Sequence, residues 1–213
     1  MSATRSEGVR ASYHHGGLRQ ALLDAGLQLA REGGPDAVVL REATRRVGVS
    51  PNAAYRHFAD RQALLEAVSD VCQGLVADKM EETLDATPPT GDPVADARQH
   101  LRDVGSAYIC FARTEPGYFR AAFTVPHDLS EAGNPEKAGT RGRTPFQILS
   151  TTLDELTAVG VLPSERRQGA ELHAWSSVHG LGMLVIDGPL RGLTDEMIDV
   201  ATERLLDMVD RGM

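Results

Sequence analysis

Apolar residues recur at helical spacing along almost the whole chain, and no stretch alternates convincingly as a half-buried strand would. Leu18, Leu22, Ala25, Leu29 and Ala30 form the first stripe, closed by Gly33, Gly34 and Pro35. A second runs through Leu40, Ala43, Thr44 and Val47, and a third through Leu64, Leu65 and Val68. The segment 86–91 (ATPPTG) is a break, after which Asp92–Pro93 starts a helix carrying Val94, Ala97, Leu101, Val104, Tyr108 and Phe111. A short amphipathic piece with Tyr118, Phe119, Ala122 and Phe123 follows. Residues 126–143, polar and glycine-containing, read as a mobile loop. Thr144–Pro145 then opens a helix with Phe146, Leu149, Leu153 and Leu156, a long helix spans about 164–186, and a last one starts at Thr194 with Asp195 and Glu196 favoured in its first turn. The pattern predicts an all-α protein of about nine helices. Residues 1–15 read as a flexible arm, 16–62 as a three-helix unit, 60–85 as a linking helix and 86–213 as a second helical domain.

Residues 40–64 (LREATRRVGVSPNAAYRHFADRQAL) carry the most specific signal. Gly48 follows the last periodic residue of one helix, where a left-handed backbone is needed. Val49 plugs the corner, Ser50 is a good N-cap and Pro51 suits the first helical position. The second helix is expected to run to about Phe58, and Asp60 to cap the next. Helix, tight turn, helix is the helix-turn-helix arrangement. Asn52 and Ala53 at the start of the second helix permit close approach to base edges, and an Asn can hydrogen-bond a base. Tyr55, Arg56 and His57 can reach phosphates or bases, and Arg41 and Arg61 can hold the flanking backbone. The same pattern also suits a solvated helical hairpin.

Charge sharpens this picture. The net charge of −8 argues against a nucleic-acid-binding surface over the whole molecule, but it is unevenly spread. Residues 1–67 hold 9 Arg and no Lys against 7 acidic residues, whereas 68–213 hold 13 basic and 23 acidic residues. A DNA-binding end and an acidic remainder fit that asymmetry. No run of 18 apolar residues suggests a membrane span and no apolar leader opens the chain, so a cytoplasmic protein is expected. Cys72 and Cys110 have no metal-ligand spacing and read as thiols in a reducing compartment. His173 and His179 are six residues apart and do not share a helix face, so neither a metal site nor a cofactor is expected.

The chain resembles the TetR family of bacterial transcriptional regulators, most strongly over residues 14–70 and through GVSPNAAYRHFADRQALLEAV. The segment Trp175 to Gly180 (WSSVHG) is similar to a W-x-x-x-H-G stretch of one C-terminal subgroup. The resemblance implies a homodimer that binds a palindromic double-stranded DNA operator and releases it when a small apolar or amphipathic effector enters the C-terminal domain. It implies Ser50, Asn52, Ala53 and Arg56 near bases, and Tyr55, His57, Arg61 and Tyr13 on phosphates. Two departures stand out. Thr44 occupies a position where the family usually has alanine, and Val39 replaces the usual Ser or Thr cap, which weakens that cap by about 1 kcal/mol.

In the C-terminal half, the candidate pocket residues are Tyr108, Phe111, Phe119, Phe123, Phe146, Leu149, Leu153, Trp175, His179 and Met183. Small residues of the long helix, with the stripe of the last one, suggest a four-helix dimer interface through Ala170, Ala174, Ser177, Leu181, Ile198, Ala201, Leu205 and Met208. Plain core packing is the alternative for both sets. Other functions remain open from the residues alone: a helical protein-binding scaffold, or a small all-α enzyme. The second has little support, since only Ser176 or Ser177 near His179 offers a nucleophile–base neighbourhood, with no evident orienting carboxylate.

Overall fold

The computed structural model describes residues 15–126 and 128–212, and within them the chain forms ten α-helices and three short 3-10 turns. The first four helices are α1 (His15–Gly33), α2 (Leu40–Val47), α3 (Pro51–Ala54) and α4 (Arg61–Ala86). They are followed by α5 (Pro93–Thr114), α6 (Pro116–Thr124) and α7 (Pro145–Ala158), then by α8 (Ser164–Arg167), α9 (Ala170–Ile186) and α10 (Asp195–Gly212). The 3-10 turns are Pro35–Ala37, Leu129–Glu131 and Pro135–Lys137. The arm and Tyr13 lie outside the described residues, except that His15 already opens α1.

The helix starts follow the residues that favour them. Asp60 accepts from the Ala63 amide at 2.8 Å, and Asp92 caps α5 through the Val94 amide at 3.0 Å. Thr144 and Gln147 form a reciprocal capping box on α7. The tenth helix comes from a break not anticipated in the sequence. The stretch expected as one helix from 164 to 186 is cut at Gly169, whose φ of 78° lies in the left-handed region and separates α8 from α9. The segment 126–143 also departs from expectation. It folds into two of the 3-10 turns and packs on α4, where a Cβ at Gly74 would come within 2.7 Å of the Ala138 carbonyl oxygen.

Two apolar cores result. One gathers α1, α2 and the first half of α4 around Leu22, Leu40, Phe58, Leu64 and Val68. The other gathers α5, α7, α9 and α10 around Leu101, Tyr108, Leu153, Val178 and Leu206. The short helix α6 serves both, with Phe119 in the second core and Ala121 and Ala122 in the first, joined there by Val125 just after its end. The buried Cys72 belongs to the first core, where loss of solvation pushes its thiol up to about 12 and keeps it protonated. Much of the acidic charge is spent inside the chain. On α5, Arg98 pairs with Asp210, Arg102 with Glu203 and Asp207, and Arg113 with Asp195 and Asp199, all five acids lying on α10.

Candidate functional site

The first site is built on α2, α3 and the turn between them. Gly48 takes φ 74°, and its amide and that of Val49 return to the carbonyls of Arg45 and Thr44, closing α2. The two departures noted in the sequence are accommodated. Thr44 is buried with its hydroxyl donating to the Arg41 carbonyl at 2.7 Å, and Val39 caps α2 by backbone geometry with no side-chain bond. The Ser50 hydroxyl accepts from the Ala53 amide at 3.4 Å, so α3 starts where expected. Its regular part ends sooner, at Ala54, but the amides of His57 and Phe58 still return to the Ala54 carbonyl. Ala54 and Phe58, one turn apart, are buried, and this fixes the roll of the helix.

That roll leaves Asn52, Tyr55 and Arg56 exposed and Ala53 and His57 half-buried at the rim. Tyr55 is 55% exposed although it is an aromatic residue. The guanidinium groups of Arg41 and Arg56 have no hydrogen-bond or ion-pair partner among the described residues. Arg45 and Arg46 are instead held by Glu42 and Glu32, and the carboxyl of Glu42 is drawn down to about 2, chiefly by its hydrogen bond to Arg45. Arg61 differs from the sequence expectation. Its guanidinium donates to the carbonyl oxygens of Val38 at 2.8 Å and Pro35 at 2.7 Å, tying the start of α4 to the turn before α2. It therefore braces the helix-turn-helix from within.

The second site is a cavity of about 680 Å³ in the C-terminal half, a size suited to a small molecule. Met80 of α4, Tyr108 of α5, Phe123 of α6, Leu149 of α7, Trp175 of α9 and Leu206 of α10 contribute to its mostly apolar wall. Six of the ten sequence candidates line it: Tyr108, Phe123, Phe146, Leu149, Trp175 and His179. The other four do not. Phe111, Phe119 and Leu153 are buried in the core, and Met183 packs half-buried against that core.

A polar relay crosses the aromatic wall. The Tyr108 hydroxyl meets His179 Nδ1 at 2.8 Å and accepts from Trp175 Nε1 at 3.0 Å. Burial raises the Tyr108 phenol well above its ordinary range and lowers the His179 imidazole, so both favour their neutral forms. Phe119 stacks on His179 at 5.7 Å between centroids, and Phe123 meets His179 edge-on at 5.2 Å. Neither nearby serine approaches His179 as a nucleophile would, since Ser176 and Ser177 both bond the His173 carbonyl. Sequence reasoning passed over Lys137 and Arg102, which also line the cavity: one sits in the segment read as a loop, the other is a charged residue outside the apolar stripe read for its helix.

The proposed dimer residues divide. Ala170, Ala174 and Ile198 are buried in the chain's own core, and Ala174 lines the cavity. They are therefore core residues. Ser177, Leu181, Ala201 and Leu205 are half-buried and Met208 is 59% exposed. The exposed apolar face of α9 and α10 also holds Leu184, Met197 and Val200. Among the described residues no helix is long and apolar enough to cross a membrane.

Residues 22–68 match the family model described as bacterial regulatory proteins, tetR family, and residues 101–209 match the tetracyclin repressor-like C-terminal domain. An uncharacterized HTH-type transcriptional regulator of Bacillus subtilis (strain 168), YobS, is 28% identical over 113 residues, which cover 53% of this chain and 55% of that protein. The chain thus spans about half the length of this curated relative. Among solved structures, a protein of unknown function from Rhodococcus sp. RHA1 superposes with a TM-score of 0.69 at 24% identity, covering 96% of this chain and 99% of that one. A TetR variant from Acinetobacter baumannii AYE, solved in complex with minocycline, gives 0.60 at 19% identity over 90% and 93% of the two chains. These two likenesses concern the fold.

Proposed function

Because this chain belongs to the tetR family of bacterial regulatory proteins, we propose that it is a DNA-binding transcriptional repressor whose grip on a palindromic operator is released by a small apolar or amphipathic effector. The observation that carries the DNA-binding part is the roll of α3. Burial of Ala54 and Phe58 turns Asn52, Tyr55 and Arg56 outward together, with Arg56 unpartnered on a surface where neighbouring arginines are neutralised. Arg56 and Asn52 read base edges, and Tyr55, His57 and Arg41 contact phosphates. Ser50 and Arg61 position the helix.

A dimer formed through the apolar face of α9 and α10 sets two such helices about 34 Å apart, one helical turn of DNA. The effector occupies the cavity and acts through α6. Phe123 lines the cavity, while Gly117 at the other end of α6 lies against the α1 carbonyls of Ala30 and Arg31. A ligand that displaces Phe123 shifts α6 against α1 and changes the spacing of the two reading heads. It releases DNA only by preferring the spacing that does not fit the operator. The Acinetobacter protein of similar fold was solved in complex with minocycline, which supports a small-molecule ligand for this fold.

The test is selection of bound fragments from genomic DNA with the purified full chain. A recurrent site with two-fold symmetry is expected. Fragments without a common sequence would overturn the reading and leave a helical scaffold.

A further inference from the structure

We propose that the effector is an amphipathic carboxylate and that Lys137 receives its anionic group. The inference rests on the effector-cavity reading above and names the ligand class of that cavity. Lys137 lines the cavity, yet its side chain is 2% exposed. Among the described residues its ammonium reaches only Glu131, at 3.4 Å to the backbone carbonyl oxygen and 3.6 Å to the carboxylate. An ammonium carries three donors, and burying one on two long contacts is costly. An anion placed in the cavity supplies the missing acceptors.

The other charged groups on the wall are already engaged. The Arg102 guanidinium is held by Asp207 and Glu203, and the Asp128 carboxylate accepts from the Ser130 amide at 2.8 Å. Among the described residues of the wall, Lys137 is thus the cation left to meet a ligand. Glu131 shares its charge, so a monoanion such as a carboxylate is balanced there better than a dianionic phosphate. The rest of the ligand meets Phe123, Phe146, Leu149 and Trp175, which ask for a hydrocarbon body. The location also gives the anion leverage. The turn bearing Lys137 is locked on α4, where Asp78 Oδ1 accepts from the Thr140 amide at 2.6 Å and its hydroxyl at 2.8 Å. Helix α4 runs from there to the helix-turn-helix.

Trp175, the only tryptophan, stands in the cavity wall and reports its occupancy by fluorescence. The full chain is titrated with decanoate, 1-decanol and decyl phosphate near neutral pH. Decanoate is expected to bind about tenfold tighter than 1-decanol, the effect of a charge-assisted hydrogen bond. Lys137→Met removes that preference while keeping affinity for 1-decanol. Equal affinities in the wild type, a preference that survives Lys137→Met, or tighter binding of decyl phosphate overturns the proposal. Should Lys137→Met lose its thermal transition, Lys137→Arg must retain the acid preference, and its loss there overturns the proposal as well. Binding of none of the probes overturns it together with the cavity reading. No arm uses DNA, so failure of the operator selection is scored separately.

Discussion

Gly117 brings the backbone of α6 so close to Ala30 at the end of α1 that a Cβ at 117 would collide with the Ala30 carbonyl oxygen. Backbone cannot yield as the end of a side chain can, so the two helices meet at a fixed separation. Beside this contact, Arg31 grips Glu115 through two hydrogen bonds of 2.9 and 2.6 Å, on the exposed surface. Gly117→Ala is expected to cost about 1–3 kcal/mol of stability through overpacking. It is also expected to weaken operator binding more than Arg31→Ala, whose ion pair lies on the exposed surface and is screened by solvent. Thermal unfolding and DNA titration of the two variants check this order.

Arg56 and Arg61 separate reading from bracing. Arg56→Ala is expected to leave the melting temperature unchanged and to weaken operator binding by about 1–3 kcal/mol with relaxed sequence preference. Arg61→Ala removes two bonds to backbone carbonyls and is expected to lower stability by about 1–3 kcal/mol. Its loss of DNA affinity follows the loss of structure. If Arg61→Ala melts like the wild type while DNA binding falls, Arg61 is a phosphate ligand after all.

The His179 imidazole, lowered by burial, gives the cavity a pH dependence. In the folded chain it holds its proton less firmly than in the unfolded chain. Below the ordinary value of about 6.5 the unfolded chain binds more protons, so stability is lost as pH falls through that window. Melting curves at stepped pH are expected to show this decline, and His179→Gln is expected to flatten it. An unchanged slope in the variant would assign the decline to other groups.

Met208 and Val200 present apolar side chains to solvent on α10, at 59% and 48% exposure. A charge there opposes burial against a second copy. Val200→Asp with Met208→Asp is expected to shift the chain from dimer to monomer in sedimentation equilibrium without lowering its helix content. Ile198→Asp, in the core, should instead unfold it.

Local chemistry was legible in the sequence. Ser50, Asp60, Asp92 and Thr144 cap the helices predicted from them, and Gly48 ends α2 as expected, because each effect depends on residues within one turn. What depends on tertiary choice was harder to read. Ala170, Ala174 and Ile198 have the small or apolar character of an interface, yet they face the chain's own core, since periodicity marks an apolar stripe without naming its partner. Gly169 looked like another small packing residue, whereas its left-handed backbone breaks the helix. Phe119 and Phe123 lie one turn apart, and only the packing puts the first in the core and the second on the cavity wall. Arg61 carried the right charge in the right place for phosphate, and the two carbonyls that occupy it belong to residues 23 and 26 positions away. Lys137 sat in a polar segment whose fold against α4 left no periodic trace.

The most direct measurement is footprinting of the purified protein on the DNA upstream of its own coding region, with unrelated duplex as competitor and salt varied. A protected site with two-fold symmetry is predicted, its halves one helical turn apart. Affinity should fall with salt at a logarithmic slope of about −0.9 per phosphate contacted, and Arg56→Ala should weaken the protection and its sequence preference. Protection that unrelated duplex removes equally well, or that Arg56→Ala leaves intact, would contradict operator reading by α3.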